Sequence, residues 1–229
     1  MFLANILTEH GSYTLNIKRI SYKTVWVEFP DVEALCKKIG AVPTGTRRDG
    51  SPLYTLPAIH DPNTGKVVAD SAAIVRYLDK TYPNKGPILV PPGTDALHSA
   101  FHDAFMGATF GGKAHLAVLA VPPASQILNP RSLEYIVRER EPVLGKLDTL
   151  APYGSEKRAE HWKELQKTMS RFASWLGAED GEEQLLFMGG SEICFADVTV
   201  AGTLKLIQTV LPAEEWKDVM TWDGGRWAR

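Results

Sequence analysis

Residues 83–92 (PNKGPILVPP) hold four prolines in ten positions, and they divide the chain into two parts of different character. Proline lacks the N–H that a helix interior or a central strand requires, so neither can run through this stretch. It reads as a linker over 83–94. Before it, strand and helix signals alternate; after it, only helix signals remain. The expected fold class is α/β plus all-α, with domains at 1–82 and 95–229 in a chain of 229 residues, enough for two buried cores.

In the first part, 24–29 (TVWVEF) is β-branched and aromatic and suits a strand. Pro30-Asp31 then opens a helix that runs to Ile39 and stops at Gly40. Two short strands, 56–60 and 66–69, flank the turn Asp61-Pro62-Asn63-Thr64-Gly65 and should form a hairpin. A helix follows over 71–82. Helix, hairpin, helix is the second half of a thioredoxin-like domain, whereas 1–12 does not read as its first strand, loop and helix start. The N-terminal domain is therefore expected to be thioredoxin-like with its first strand missing or degenerate.

In the second part, apolar residues recur at helical spacing. Leu133, Ile136, Val137, Leu144 and Leu147 share one stripe of a helix expected to reach Leu150. Trp162, Leu165, Met169, Phe172 and Leu176 form a second stripe, and Val200, Leu204, Ile207 and Leu211 a third. Core packing accounts for all three, which makes the C-terminal domain all-helical.

A net charge of −2 and a pI near 6.3 give no electrostatic reason to engage nucleic acid or an anionic membrane. No apolar run approaches the roughly 18 residues of a membrane helix. The apolar start, 1–7, is interrupted by Asn5 and has neither the basic flank nor the cleavage site of a signal peptide. Cys36 and Cys194 form no CxxC pair, which suits free thiols in a reducing compartment. The expected location is cytoplasmic.

Three segments carry chemistry. Pro57, in Thr55-Leu56-Pro57-Ala58-Ile59, stands at the start of a strand. Either it is an ordinary trans proline at a strand edge, or its bond is cis and the Leu56 backbone faces outward to pair with an extended peptide. Asp70-Ser71 falls between the second hairpin strand and a helix. It is either a plain helix cap or a site for a carboxylate, at the helix N-terminus and the Ser71 hydroxyl, beside an anion for an ammonium group. Across one tight hairpin, a γ-glutamyl peptide matches both: its amino-acid head at Asp70-Ser71, its cysteinyl backbone at Leu56. The third segment, Ile193-Cys194-Phe195-Ala196-Asp197-Val198, is structural: Asp197 reaches back to the Cys194 N–H, and Ile193 and Val198 form a staple.

With these residues the chain resembles the glutathione transferases, and most of all the fungal etherase-like class, itself similar to bacterial β-etherases. TLPAI and ADSAAIVRYLD within 22–82 stand in the family's order and spacing, while 129–135 (NPRSLEY), 187–190 (FMGG) and 223–228 (DGGRWA) look like that class's helical half. The resemblance implies glutathione as cosubstrate, with Leu56 and Pro57 on its cysteinyl backbone and Asp70 and Ser71 on its γ-glutamyl end. It implies a hydrophobic electrophile or aryl ether as partner and a homodimer as the assembly.

In that class a Ser in the loop after the first strand activates the thiol, whose free pKa of roughly 8.5 leaves it mostly protonated at neutral pH. No such loop is recognisable in 1–12. Counting back points to Asn5, and Thr8, His10 and Ser12 are further candidates. Either this end is shortened, or the chain binds glutathione without activating it. The chain also stops after Trp227-Ala228-Arg229, short of where the family usually ends.

Other motifs carry less. Phe101, Phe105 and Phe110 either line a site for the electrophile or belong to core. His98 and His102, with Asp103, lack third and fourth ligands at suitable spacing, so no metal is expected. Gly111-Gly112-Lys113 lacks the rest of a phosphate loop. Cys36 beside Lys37 and Lys38 would be mildly reactive at most.

Overall fold

The computed structural model describes residues 1–5, 10–47, 49–111, 114–175 and 187–228. They fall into two compact units, Met1–His98 with Glu192–Thr203, and Ser99–Ser191 with Leu204–Arg229.

The first unit is built on a four-stranded sheet. β1 (Phe2–Asn5) is followed by α1 (His10–Ile17) and β2 (Lys23–Trp26). Next come α2 (Val32–Ile39), the two-residue strands β3 (Gly45–Thr46) and β4 (Pro52–Leu53), then β5 (Ala58–Asp61), β6 (Lys66–Ala69) and α3 (Ser71–Thr81). The order across the main sheet is β2-β1-β5-β6. β1 runs parallel to β2, with Leu3 opposite Thr24, and antiparallel to β5, with Leu3 opposite Ile59. The first strand, expected to be missing or degenerate, is present as four residues and central. Three apolar residues in a row suit a strand paired on both sides, but four residues are too few to show a period.

Side-chain alternation on β5 gives the sheet two covered faces. Ile59 packs with Leu15 of α1 and Ile74 and Leu78 of α3. Its neighbour Ala58 turns the other way, to Val32 and Cys36 of α2 and to Ala69. α2 stops at Gly40, whose φ of 80° is the left-handed conformation that glycine adopts without a Cβ clash.

The segment expected as a linker is fastened to this unit. Asp79 on α3 accepts the Leu89 and Val90 N–H groups at 2.9 Å each and the Lys18 ammonium at 2.9 Å. Lys18 also donates to the Pro87 carbonyl at 3.1 Å. Gly86 lies so close to α1 that a Cβ there would stand 2.3 Å from the Ile17 carbonyl oxygen. Leu89 then packs with Val75, Phe195 and Val198.

The second unit is helical. It takes α4 (Asp95–Phe110) from Ser99 on, α5 (His115–Gln126), α6 (Pro130–Leu144), α7 (Glu156–Ser174), α8 (Phe195–Val210) from Leu204 on, and α9 (Ala213–Val219), while the start of α8 belongs to the first unit. α5 packs on α7. The stripe on α7 buries Leu165, Met169 and Phe172; Leu176 lies outside the described residues. α6 ends at Leu144 rather than near Leu150, because Gly145 takes a φ of 94° and Leu147 falls in a separate 3-10 turn. On α6, Ile136 and Leu144 are buried, but Leu133 is 36% exposed. Among the described residues no single helix is long and apolar enough to cross a membrane.

Candidate functional site

The hairpin and the start of α3 bring the two halves of the sequence motif into direct contact. The Leu56–Pro57 peptide bond is cis. The Pro57 carbonyl accepts the Asp70 N–H at 3.2 Å, one step beyond the Ala58–Ala69 pair of the sheet ladder. Asp70 is the N-cap of α3: one carboxylate oxygen accepts the Ala73 N–H at 2.9 Å, and its carbonyl accepts the Ile74 N–H at 2.9 Å. Its backbone takes φ 82° and ψ 133°. A side chain is seldom found there, and such strain costs of order 1–3 kcal/mol.

Ser71 follows as the first helical residue and is half-buried. Among the described residues neither its hydroxyl nor the Ser71 and Ala72 N–H groups have a partner, and the second Asp70 carboxylate oxygen has none either. Three donors therefore converge at the positive end of a helix dipole, beside a carboxylate. The Leu56 backbone N–H and carbonyl are likewise without a partner among the described residues.

A network that the sequence did not reveal holds the hairpin on α3. Asp61 is fully buried; it accepts the Tyr77 and Tyr82 hydroxyls at 2.5 and 2.6 Å and the Asn63 N–H at 3.0 Å. Burial alone would raise its pKa, but these donors hold its carboxyl below the ordinary value. Burial, followed by the Asp61 hydrogen bond, pushes both tyrosine hydroxyls up, so neither is a ready proton source. The one available signal was an Asp opening a hairpin turn, with tyrosines at 77 and 82.

The candidates for thiol activation scatter. Asn5 ends β1, opposite Trp26, and His10 opens α1. Ser12 lies inside α1 and is buried, so it belongs to the helix and not to the connection before it. Thr8 lies outside the described residues.

The three phenylalanines separate as well. Phe105 is fully enclosed, with its ring 4.8 Å from Phe172, and so supports a wall rather than lining a site. Phe101 is half-buried, 5.8 Å from Phe105 and 5.9 Å from Trp175. Phe110 ends α4, half-buried.

His98 is buried, and burial pushes its pKa down. No group of three or more His, Cys, Asp or Glu suited to a metal occurs among the described residues. Burial raises the Cys36 thiol, against the mild reactivity its lysine neighbours suggested, and burial with Asp197 pushes Cys194 up to about 12. Asp197 accepts the Cys194 N–H at 2.8 Å, as the capping pattern predicts.

Comparison with known proteins places these features in context. The profile described as glutathione S-transferase, N-terminal domain, matches residues 12–81, and that for the C-terminal domain matches 96–229. The glutathione S-transferase-like protein ustS of Aspergillus flavus is 30% identical over 220 residues, 92% of this chain and 76% of that protein. A glutathione S-transferase of Ceriporiopsis subvermispora, solved in complex with glutathione, is 46% identical, with a TM-score of 0.91 over 99% of this chain and 93% of the other. A second one from that organism, also with glutathione, is 39% identical, with a TM-score of 0.91 over 100% and 95%.

Proposed function

The chain belongs to the glutathione S-transferase family, and on that premise we propose that it binds glutathione at Leu56, Pro57, Asp70 and Ser71 and joins its sulfur to a hydrophobic electrophile. The observation that carries the reading is the bond from the Asp70 N–H to the Pro57 carbonyl at 3.2 Å, which holds the Leu56–Pro57 backbone beside the start of α3. Free donors at Ser71 and Ala72 suit the γ-glutamyl carboxylate, and the unspent Asp70 oxygen suits its ammonium. The strained backbone of Asp70, set between the Pro57 carbonyl and the start of α3, supports a binding role.

In the reaction the glutathione sulfur attacks an electrophilic carbon. A sulfur–carbon bond forms, a halide or an aryloxide leaves with the bonding pair, and the thiol proton passes to a base or solvent. Conjugation and aryl-ether cleavage differ only in that leaving group. A homodimer belongs to the same reading and is checked by light scattering on the eluting protein.

A second reading, a glutathione-binding protein without turnover, has its own support: between Asn5 and His10 the sequence holds Ile6, Leu7, Thr8 and Glu9, with no Ser, Tyr or Cys. Calorimetric titration with glutathione tests the binding, and Ser71→Ala is expected to weaken it roughly tenfold or more through the loss of a hydrogen bond to a charged group. Absence of heat at millimolar glutathione in folded protein defeats both readings. Turnover of an aryl halide above the background rate selects the enzyme.

A further inference from the structure

A cavity of about 420 Å³ opens in the helical unit, and none of its lining residues belongs to the sites above. Its size falls within the range of small-molecule pockets. One wall comes from Pro122 and Pro123, inside α5, and the facing wall from Leu133 and Val137, one turn apart on α6. These two residues belong to the stripe that reads as core in the sequence, yet Leu133 is left 36% exposed.

The rim is held rigid. Tyr153 lies over the Arg158 guanidinium at 4.1 Å. Arg158 is itself fixed by Glu215 at 2.6 and 2.7 Å and by the Ala151 carbonyl at 3.1 Å. That pairing neutralises the one arginine of the cavity. The charges left are Glu141, Asp148 and Lys146, two carboxylates against one ammonium. Glu141 spends one carboxylate oxygen on the Leu147 N–H at 3.2 Å; its other carboxylate oxygen, the Asp148 carboxylate and the Lys146 ammonium have no partner among the described residues.

From this arrangement we propose that the cavity binds a small aromatic amine, its ring between the α5 prolines and the Leu133–Val137 wall and its ammonium at the Glu141–Asp148 rim. Flat proline and aliphatic surfaces fit an aromatic ring, and the excess carboxylate favours a cation over an anion. A rim already ordered by Glu215 and Arg158 loses little freedom on binding. The inference stands independently of whether the first unit binds glutathione.

The test is an amide NMR titration of the whole chain with tryptamine, and with indole-3-propionate as the same ring carrying the opposite charge. Saturable tryptamine shifts at Leu133, Val137 and Tyr153 are expected, with the acid binding more weakly. Asp148→Lys, at an exposed position, should weaken tryptamine roughly two- to fivefold and narrow its lead over the acid. Leu133→Trp should fill the wall and abolish the saturable shifts; if it does not fold, Asp148→Lys decides. No saturable shift at these amides, acid binding equal to amine, or an Asp148→Lys variant that binds tryptamine as wild type does would overturn the proposal.

Discussion

Asp70 does two jobs that pull on its backbone in different ways. Its side chain caps α3, and its φ of 82° aims that side chain and the Pro57-bonded N–H together. Glycine adopts such a φ without penalty and costs little at an N-cap. Asp70→Gly is therefore expected to leave urea stability within about 1 kcal/mol of wild type, whereas Asp70→Ala loses about 1–2 kcal/mol by keeping the strain and dropping the cap. Both should lose glutathione affinity, which separates the binding role from the structural one.

His161 gives a second prediction at this scale. Its Nδ1 lies 2.9 Å from the His115 Nδ1, an arrangement that needs one nitrogen to donate and the other to accept. Burial first, then His115 and Lys157, depress the His161 pKa, with Glu160 opposing. A histidine depressed in the fold takes up its proton more readily when unfolded. The stabilisation is complete above the unfolded value of about 6.5 and drains away as pH falls from there through the folded pKa. Melting between neutral pH and pH ~5 should drop about 2–4 °C more in wild type than in His161→Gln, as scanning calorimetry would show.

At the scale of elements, the tie between α1, α3 and the proline-rich segment rests on one carboxylate. Asp79 satisfies a buried ammonium and two backbone N–H groups at once. Asp79→Ala strands both backbone N–H groups and leaves the buried ammonium with the Pro87 carbonyl but no counter-charge, and is expected to cost about 3–5 kcal/mol in urea unfolding. Lys18→Met alone should cost less, because Asp79 keeps its two backbone donors. Four prolines within 83–92 exclude regular structure, but they say nothing of whether the segment is held, and the clamp joins residues 61 positions apart. Contacts of that separation leave no periodic trace. The hairpin, the Gly40 stop and the Asp197 cap were legible because each is local, decided within five or six residues. β1 was not, because its identity depends on two partner strands and not on its own four residues.

For the whole molecule, the division into a mixed and a helical part was legible from the prolines of 83–92 and the apolar periodicity around them, and the pairing of Pro57 with Asp70-Ser71 from their spacing across one hairpin. What stayed hidden was which apolar stripe is truly core. Leu133 and Val137 share a stripe with Ile136 and Leu144 in the sequence, yet the first pair lines a cavity and the second is buried. The two cysteines show the reverse case, where the fold silences a residue that the sequence left open. Cys36 is fully buried and Cys194 is 3% exposed. Ellman's reagent is expected to find no fast-reacting thiol in the native chain and two after denaturation. A protein proposed to meet alkylating compounds for a living thus carries no cysteine thiol within their reach. Intact mass after prolonged turnover should match that of the fresh polypeptide, every adduct having formed on the tripeptide and none on its host.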